Sequence, residues 1–279
     1  ETEPYLETLA DTAAGLRALD REAALLSPEE VAEHGLDPSS VAGALYTPEE
    51  GFLEADEVVD CYAGRAHESG VAVEVGTSVT DVVTEDGAVA GVEVDGEVRA
   101  ADVVVNAAGP WAPRVNALAG VALPLRHTRG PILALEADEP THMPFARFER
   151  QTYARPFGEA GLYVGYYETD FDAAARVDPD ERRSLDDGFR RAADETLETF
   201  LPQFADGRPV EEWVGLRTVT PDGRPMVGET GVEGFLVAVG MTGQGVTLAP
   251  VAGQLLAERV ETGAMPQAAA SLSPSRFFE

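Results

Sequence analysis

Residues 78–109 combine two different strand patterns, and this combination limits the folds open to the chain. Branched apolar and polar residues alternate from residue 78, interrupted by the turn sequences EDG (85–87) and VDG (94–96). Alternation around Asp-Gly turns predicts a small antiparallel meander. Residues 103–105 are all Val, an unbroken apolar run that is typical of a strand buried on both faces. A meander beside such a strand indicates a mixed, layered α/β fold.

Small residues follow the buried strand. Asn106, Ala107, Ala108 and Gly109 precede Pro110, which is expected to start a helix. Side chains this small allow a ligand to approach the backbone closely. A second segment of this kind, GMTGQG at 240–245, runs into a helix predicted over 246–260.

The remaining patterns predict helices and a second sheet. Apolar spacing predicts helices over 4–20, 27–35 (with Ser27 as N-cap), 54–70 and 179–200, and a strand over 71–76. Four aromatic-rich stretches between 123 and 175 predict a second set of strands. The last dozen residues are expected to form a frayed tail.

The charge of the chain restricts its partners. Fifty acidic and twenty basic residues give a net charge of −30 over 279 residues, and every basic residue is Arg. Polyanions and anionic lipids require basic patches, so nucleic acid and membrane surfaces are excluded as partners. A strongly acidic surface without Lys resembles the surfaces of proteins from salt-loving organisms, in which concentrated cations screen the repulsion between the protein's own negative charges.

Compartment and metal chemistry follow from a few residue types. Cys61 is the single cysteine, which rules out an intrachain disulfide and fits a reducing cytoplasm. No apolar run approaches the roughly 20 residues needed to cross a bilayer. His34, His67, His127 and His142 lack metal-ligand spacing, so no metal is expected, while a homo-oligomer is compatible with the sequence.

Three segments in order carry a family resemblance. NAAGPWA (106–112), GLRTVTPDGRPMVG (215–228) and GFLVAVGMTGQGVTLAP (234–250) resemble the D-amino-acid oxidase, glycine oxidase and sarcosine oxidase family of FAD-dependent amine oxidoreductases. The resemblance covers residues 4–262. It implies oxidation of the C–N bond of a small amino acid or N-methylated glycine, with hydride transfer to flavin N5.

The resemblance also implies cofactor contacts. In the family, the glycine turn and the helix start bind the pyrimidine edge of the flavin, and here these positions are Gly243, Gln244, Gly245, Val246, Thr247 and Leu248. A reduced flavin carries negative charge at this edge, which backbone N–H groups can stabilise. Ala107, Ala108, Gly109 and Trp111 match the segment beside the cofactor, and Val79 matches the position next to the adenine.

Three residues match the family's substrate contacts. Arg217, the arginine of GLR, is expected to hold the substrate carboxylate in a bidentate pair, while Tyr153 and Arg155 wall the pocket. Relatives often place a second basic residue in the glycine turn, and this turn has none. Tyr163, Tyr166 and Tyr167 are further candidates, although alternation sends about half of such residues to the opposite face.

The chain departs from the family at its start. The family opens with a strand, a GxGxxG turn and a helix that hold the FAD pyrophosphate, and this sequence contains no such unit. We therefore expect a truncated Rossmann-like FAD domain (51–121 and 215–279) interleaved with an antiparallel substrate domain (1–50 and 122–214). This chain alone is expected to be inactive.

Two alternatives remain open at this point. The chain could be a non-catalytic fragment without flavin, or part of a glycerol-3-phosphate dehydrogenase-like flavoenzyme, although few basic residues line the substrate segment. Oxidase and dehydrogenase activities are not distinguished by the sequence.

Overall fold

The computed structural model describes residues 2–138, 140 and 142–278. The helices are α1 (Glu3–Arg17), α2 (Pro28–Glu33), α3 (Ala55–Glu68), α4 (Ala112–Leu118), α5 (Asp187–Phe200) and α6 (Gly245–Thr262). The strands are β1 (Ala24–Leu26), β2 (Ala44–Tyr46), β3 (Val79–Glu85), β4 (Ala88–Val94), β5 (Glu97–Ala100), β6 (Val104–Asn106), β7 (Arg126–Glu136), β8 (Ala146–Arg147), β9 (Thr152–Phe157), β10 (Gly161–Tyr166), β11 (Arg208–Val219), β12 (Met226–Glu229) and β13 (Phe235–Val239).

The chain divides into two compact units. The first comprises Glu1–Leu53, Gly130–Glu168 and Arg182–Gly215, and the second comprises Glu54–Arg129, Thr169–Glu181 and Leu216–Glu279. The chain passes from one unit to the other within β7 and again within β11. Residues 169–181, which the sequence assigned to the substrate domain, fall in the second unit.

Two small sheets form the frame of the second unit. One has the strand order β3-β4-β5 and is the antiparallel meander predicted over 78–109. The other has the order β12-β13-β6, in which β13 pairs antiparallel with β12 and parallel with β6. The central strand supplies Phe235 and Val237, both fully buried, to a core that also contains Met226 and Val82. Helix α6 packs on the opposite side of this strand, where Leu255 and Leu256 bury beside Leu236.

The first unit is built on one antiparallel sheet. Its strand order is β11-β7-β10-β9-β8, and β9 shows strict alternation, with Thr152, Ala154 and Pro156 buried and the residues between them half-buried. Helix α5 covers the buried face with Phe189, Ala193, Thr196, Leu197 and Phe200, whose spacing places them along one stripe. Phe200 is fully buried and stacks on Phe148 with ring centroids 4.6 Å apart.

Two helix starts agree with their sequence signals. Ser27 forms a capping box with Glu30: its hydroxyl accepts the Glu30 N–H, and the Glu30 carboxylate accepts the Ser27 N–H at 2.8 Å. Asp186 caps α5 by accepting the Phe189 N–H at 2.8 Å. Helix α5 therefore begins at Asp187. The prediction of a helix over 179–200 was wrong for residues 179–186.

The strand predicted over 71–76 was wrong. Residues 71–74 have no regular secondary structure, and no strand in the described part of the chain pairs with them. Val71, Val73 and Val75 are 53%, 52% and 92% exposed. Alternating valines give a strand only when a neighbouring strand supplies ladder hydrogen bonds.

Two other expectations need correction. Val105 is 41% exposed, because β6 is the outermost strand of its sheet, although Val104 and Val103 pack against the core clusters on its two faces. Residues 268–278 lie mainly in two short 3₁₀ helices and do not form a frayed tail: Ala269 is buried, and Phe277 packs against the core of the second unit.

Candidate functional site

The glycine turn uses backbone conformations that few residues tolerate. Thr242 and Gly243 have φ of +51° and +81°, and the N–H of Gln244 donates to the carbonyl of Met241 at 2.8 Å. Glycine adopts positive φ without strain, whereas Thr at this φ is uncommon. The turn thereby reverses the chain between β13 and α6 in a few residues.

The first N–H groups of α6 have no acceptor among the described residues. The Gln244 side chain makes no cap hydrogen bond, and the N–H of Leu248 donates to the Gln244 carbonyl at 2.9 Å. Residues 245–247 have no backbone or side-chain acceptor for their N–H groups among the residues that the structure describes. These three donors lie where the helix dipole is positive, so they form a site suited to an anion.

The N–H groups without an acceptor among the described residues begin at Gly245, one residue before the start of the helix predicted over 246–260. Gly245 joins Val246 and Thr247, while the Leu248 N–H is taken by the helix itself. Gly243, Gln244, Val246 and Thr247 are all exposed in this chain.

The arginine-bearing strand supports the same turn. The N–H of Thr242 donates to the carbonyl of Thr218 at 2.9 Å, and Thr218 follows Arg217 on β11. Close packing fixes the start of the turn, because a Cβ at Gly240 would lie 2.5 Å from Cγ2 of Thr220. The GLR strand and the glycine turn are therefore neighbours within the second unit.

The predicted small-residue segment lies at the same sheet edge as the glycine turn. In the parallel pair, Phe235 lies opposite Val104 and Val237 opposite Asn106, so β6 and β13 end side by side. Residues 107–111 follow one strand and residues 240–245 follow the other. Ligands of layered α/β sheets bind outside the carboxyl ends of parallel strands, so this edge is the candidate cofactor site.

Asn106 organises the segment after β6. Its side chain is 2% exposed, and its Nδ2 donates to the Ala112 carbonyl at 3.0 Å and to Oδ1 of Asn116 at 2.7 Å. Its Oδ1 accepts the N–H of Ala108 at 3.1 Å. This hydrogen-bonding role of Asn106 was not predicted from the sequence. The available signal was an Asn at the end of an apolar run.

Trp111 is held by an acidic partner. Its Nε1 donates to Oδ1 of Asp180 at 2.8 Å, although the residue remains 44% exposed. Arg114 donates to both Asp178 and Asp180. The Arg114 guanidinium, followed by the Trp111 indole, holds the pKa of the Asp180 carboxyl below its usual value. Residues 169–181 are tied in this way to the start of α4.

Arg217 is half-buried on β11. Its guanidinium donates to the carbonyl of Arg129 on the neighbouring strand at 2.7 Å. Val79, the predicted adenine neighbour, is 42% exposed and begins β3 in the meander. The glycine turn follows β13, which belongs to the other sheet of the second unit.

The TPDG turn (220–223) forms an ion pair with Arg276, near the C-terminus. Asp222 accepts two hydrogen bonds from Arg276, at 2.8 and 3.1 Å, together with the N–H of Arg224. Arg276, above all, lowers the pKa of Asp222 to about 2. The sequence singled out TPDG as a family motif but gave no sign of this partner, which lies 54 residues away.

In the first unit, the predicted residues Tyr153 and Arg155 share one face of the sheet. The Arg155 guanidinium lies 5.0 Å from the ring centroids of both Phe52 and Tyr163. Phe157 stacks on Tyr163 at 4.1 Å, and Trp213 meets Tyr163 edge-on at 5.5 Å. We call this set, Phe52, Tyr153, Arg155, Phe157, Tyr163 and Trp213, the aromatic face.

The other tyrosine candidates lie elsewhere. Tyr166 packs against the core beneath α5, and Tyr167 lies under the Arg147 guanidinium at 4.4 Å. In the described part of the chain, no group of three or more His, Cys, Asp or Glu residues is arranged to hold a metal ion. None of the described helices is long and apolar enough to cross a bilayer.

Known proteins match nearly the whole chain. Residues 1–259 match the family model described as FAD dependent oxidoreductase. A D-amino acid dehydrogenase from Cereibacter sphaeroides is 30% identical over 237 residues, which are 81% of this chain and 52% of that protein. A glycine oxidase from Geobacillus kaustophilus is 29% identical over 230 residues, which are 82% of this chain and 59% of that protein. The chain spans about half the length of such dehydrogenases.

Solved structures share the fold. L-proline dehydrogenase from P. horikoshii superposes with a TM-score of 0.89 at 22% identity, covering 99% of this chain and 74% of that one. Glycine oxidase from Geobacillus kaustophilus gives a TM-score of 0.84 at 24% identity, covering 99% and 72%. The mixed α/β fold class and the resemblance read from the sequence are confirmed, and the chain belongs to the family of FAD-dependent oxidoreductases.

Proposed function

We propose that the protein carrying this chain oxidises the C–N bond of a small amino acid or an N-methylated glycine. Family membership supports this reaction, as do relatives named D-amino acid dehydrogenase and glycine oxidase. FAD, when bound, supplies the hydride acceptor. The tasks left to the polypeptide are to hold the cofactor, to orient the substrate and to exclude water.

The start of α6 carries the cofactor part of the proposal. Three N–H groups at residues 245–247 point outward from a helix of 18 residues, next to exposed small residues of the glycine turn. Such donors fit the pyrimidine edge of a flavin, because negative charge grows there on reduction. A Cβ at Gly245 would meet Cβ of Met241 only at 3.9 Å, an ordinary contact distance, and Gly243 is exposed, so a flat ring can approach the backbone here.

Arg217 would bind the substrate carboxylate. A guanidinium offers two parallel donors, and the hydrogen bond to the Arg129 carbonyl fixes one of its nitrogen atoms. Fixing the carboxylate sets which hydrogen of the α-carbon points at the hydride acceptor. Because the glycine turn contributes no basic residue, we assign this pairing to Arg217.

The aromatic face would supply the wall of the substrate pocket. Tyr153 presents a phenol and Arg155 a cation held between two rings, which gives an apolar surface with two polar groups. Surfaces of this composition bind small organic molecules. The amine would bind in its neutral form, so a dedicated protein base is not required.

We also propose that the protein works in a salt-rich cytoplasm. The net charge of −30 and the absence of Lys support a solvent rich in screening cations. The one cysteine, Cys61, is exposed and free of any disulfide, which fits a reducing compartment.

Flavin spectroscopy in concentrated salt tests the proposal. FAD is added to the purified protein, unbound FAD is removed, and the visible flavin absorption is recorded before and after anaerobic addition of glycine, sarcosine or D-alanine. We expect retained flavin whose absorption bleaches with at least one of the three. A colourless full-length protein after FAD addition would contradict the proposal. The same measurement on residues 1–279 alone tests whether this chain suffices.

A further inference from the structure

We propose that Gly165 is a positioning residue for Tyr153. The bare backbone at Gly165 holds the phenol ring in its place on the aromatic face and so sets how tightly substrate binds there. This inference rests on the proposed function, in which Tyr153 contacts the substrate.

The register of the sheet places the two residues directly opposite each other. Strands β9 and β10 pair antiparallel, with Tyr153 opposite Gly165 and Arg155 opposite Tyr163. Opposite residues of an antiparallel pair project from the same face. The ring of Tyr153 therefore lies over Gly165 rather than over a neighbouring side chain.

The distances leave no room for a side chain at Gly165. A Cβ there would lie 2.3 Å from Cζ and 2.4 Å from the hydroxyl oxygen of Tyr153. Those separations are far below van der Waals contact, and both involve the polar end of the ring. Even one methyl group would thus displace the hydroxyl, which is the part of Tyr153 suited to a polar substrate group.

Nearby groups restrict where the ring could go. Phe145 lies beside Tyr153 with centroids 5.6 Å apart, and Arg155 occupies the same face two residues along β9. Arg155 is itself held against Phe52 and Tyr163. A displaced phenol would therefore change its position relative to Phe145 and Arg155, and the proposed pocket wall would change with it.

The chain contains a matched control. Gly161 lies opposite Phe157 on the same two strands, and a Cβ at Gly161 would lie 2.5 Å from Cζ of Phe157. Phe157 stacks on Tyr163 and has no polar group. G161A therefore imposes a similar ring displacement that moves no hydroxyl.

A double-mutant cycle tests the inference in the FAD-loaded protein. The variants are G165A, Y153A, Y153F, G165A/Y153A and G161A. Initial rates give kcat and KM, and calorimetric titration with 2-methylalanine gives a dissociation constant without turnover, because the α-carbon of 2-methylalanine has no hydrogen to transfer. Thermal unfolding midpoints report on the fold.

We expect G165A to raise KM and the 2-methylalanine dissociation constant about tenfold, with a smaller change in kcat. Y153A and Y153F should raise both constants, and adding G165A to Y153A should cause no further change, because the ring that the methyl group displaces is gone. G161A should raise both constants less than G165A does, because the ring that it displaces carries no hydroxyl group.

Two binding results and one folding result would overturn the inference. If Y153A weakens binding but G165A does not, Gly165 has no positioning role and the proposed function stands. If Y153A and Y153F leave binding unchanged, the substrate role of Tyr153 falls and this inference falls with it. If G165A fails to fold, the unfolding midpoint of the G165A/Y153A double variant decides. A midpoint equal to that of Y153A supports the clash between the added methyl group and the Tyr153 ring. A double variant that also fails to fold contradicts this clash.

Discussion

The N–H of Thr242 donates to the carbonyl oxygen of Thr218 across 2.9 Å, and this bond joins the glycine turn to the strand that carries Arg217. Two segments that lie some way apart in the sequence thus become neighbours at one edge of the second unit. The turn leads into a helix start with three outward N–H donors, while the strand bears the candidate carboxylate ligand.

Replacing Gln244 by Asp should weaken flavin binding while stabilising the fold slightly. A carboxylate beside the start of α6 interacts favourably with the helix dipole, by about 0.5 kcal/mol, but repels the electron-rich pyrimidine edge of the flavin, and more strongly once reduction makes that edge anionic. We expect a raised unfolding midpoint and an FAD dissociation constant, measured by flavin fluorescence, that is at least tenfold higher than that of the parent. Gln244→Asn, which adds no charge, is the control. Equal FAD affinity in the two variants would argue against cofactor contact at this helix start.

Replacing Arg217 by Lys should raise KM about a hundredfold and alter kcat less. Lys keeps the charge but loses the two parallel donors that match a carboxylate. Steady-state kinetics with the substrate found in the flavin test would measure this, with bound FAD quantified in the same sample. An unchanged KM would remove Arg217 from substrate binding.

The Asp222–Arg276 pair should stabilise the protein in a defined pH range. The folded pKa of Asp222, about 2, lies below the ordinary aspartate value. A lowered carboxyl pKa adds stability that is present above the unfolded pKa, near 4, and is lost as pH falls toward about 2. The contribution is about 1 kcal/mol, because a carboxylate that is one third exposed is partly screened.

Denaturant unfolding of Asp222→Asn checks this pH dependence. The variant should be less stable than the parent at pH 7, and the difference should shrink as the pH falls below about 4. Glu261→Gln, on the exposed end of α6, controls for the loss of one negative charge. A stability difference that stays constant down to pH 3 would contradict the assigned ion pair.

Salt should stabilise the whole chain. With fifty acidic and twenty basic residues, self-repulsion weakens the folded state until cations screen it. We expect the thermal midpoint to rise steadily from about 0.1 M to about 2 M KCl, well beyond the range in which an ordinary domain responds. A midpoint that is flat over this range would count against adaptation to salt.

Local sequence signals predicted the elements that depend on local physics. The meander turns, the Ser27 N-cap and the glycine turn before α6 follow from residues close together in the chain. Family motifs added the candidate site residues, of which Arg217 and the glycine turn are neighbours in the structure.

Features that depend on distant partners could not be predicted. Val71, Val73 and Val75 alternate like a strand, but strand formation depends on a pairing neighbour. The tail is ordered by Arg276, whose partner Asp222 is remote in sequence. The Trp111–Asp180 hydrogen bond and the Tyr153–Gly165 contact likewise join residues whose pairing is set by strand register and loop path.

Anaerobic mixing of the FAD-loaded protein with sarcosine or D-alanine tests whether the protein oxidises the C–N bond of its substrate. We expect the absorption of the oxidised flavin to disappear, and deuterium on the carbon that gives up the hydride to slow this loss severalfold. The contradicting result is a flavin that dithionite bleaches but that no amino acid or N-methylated glycine does.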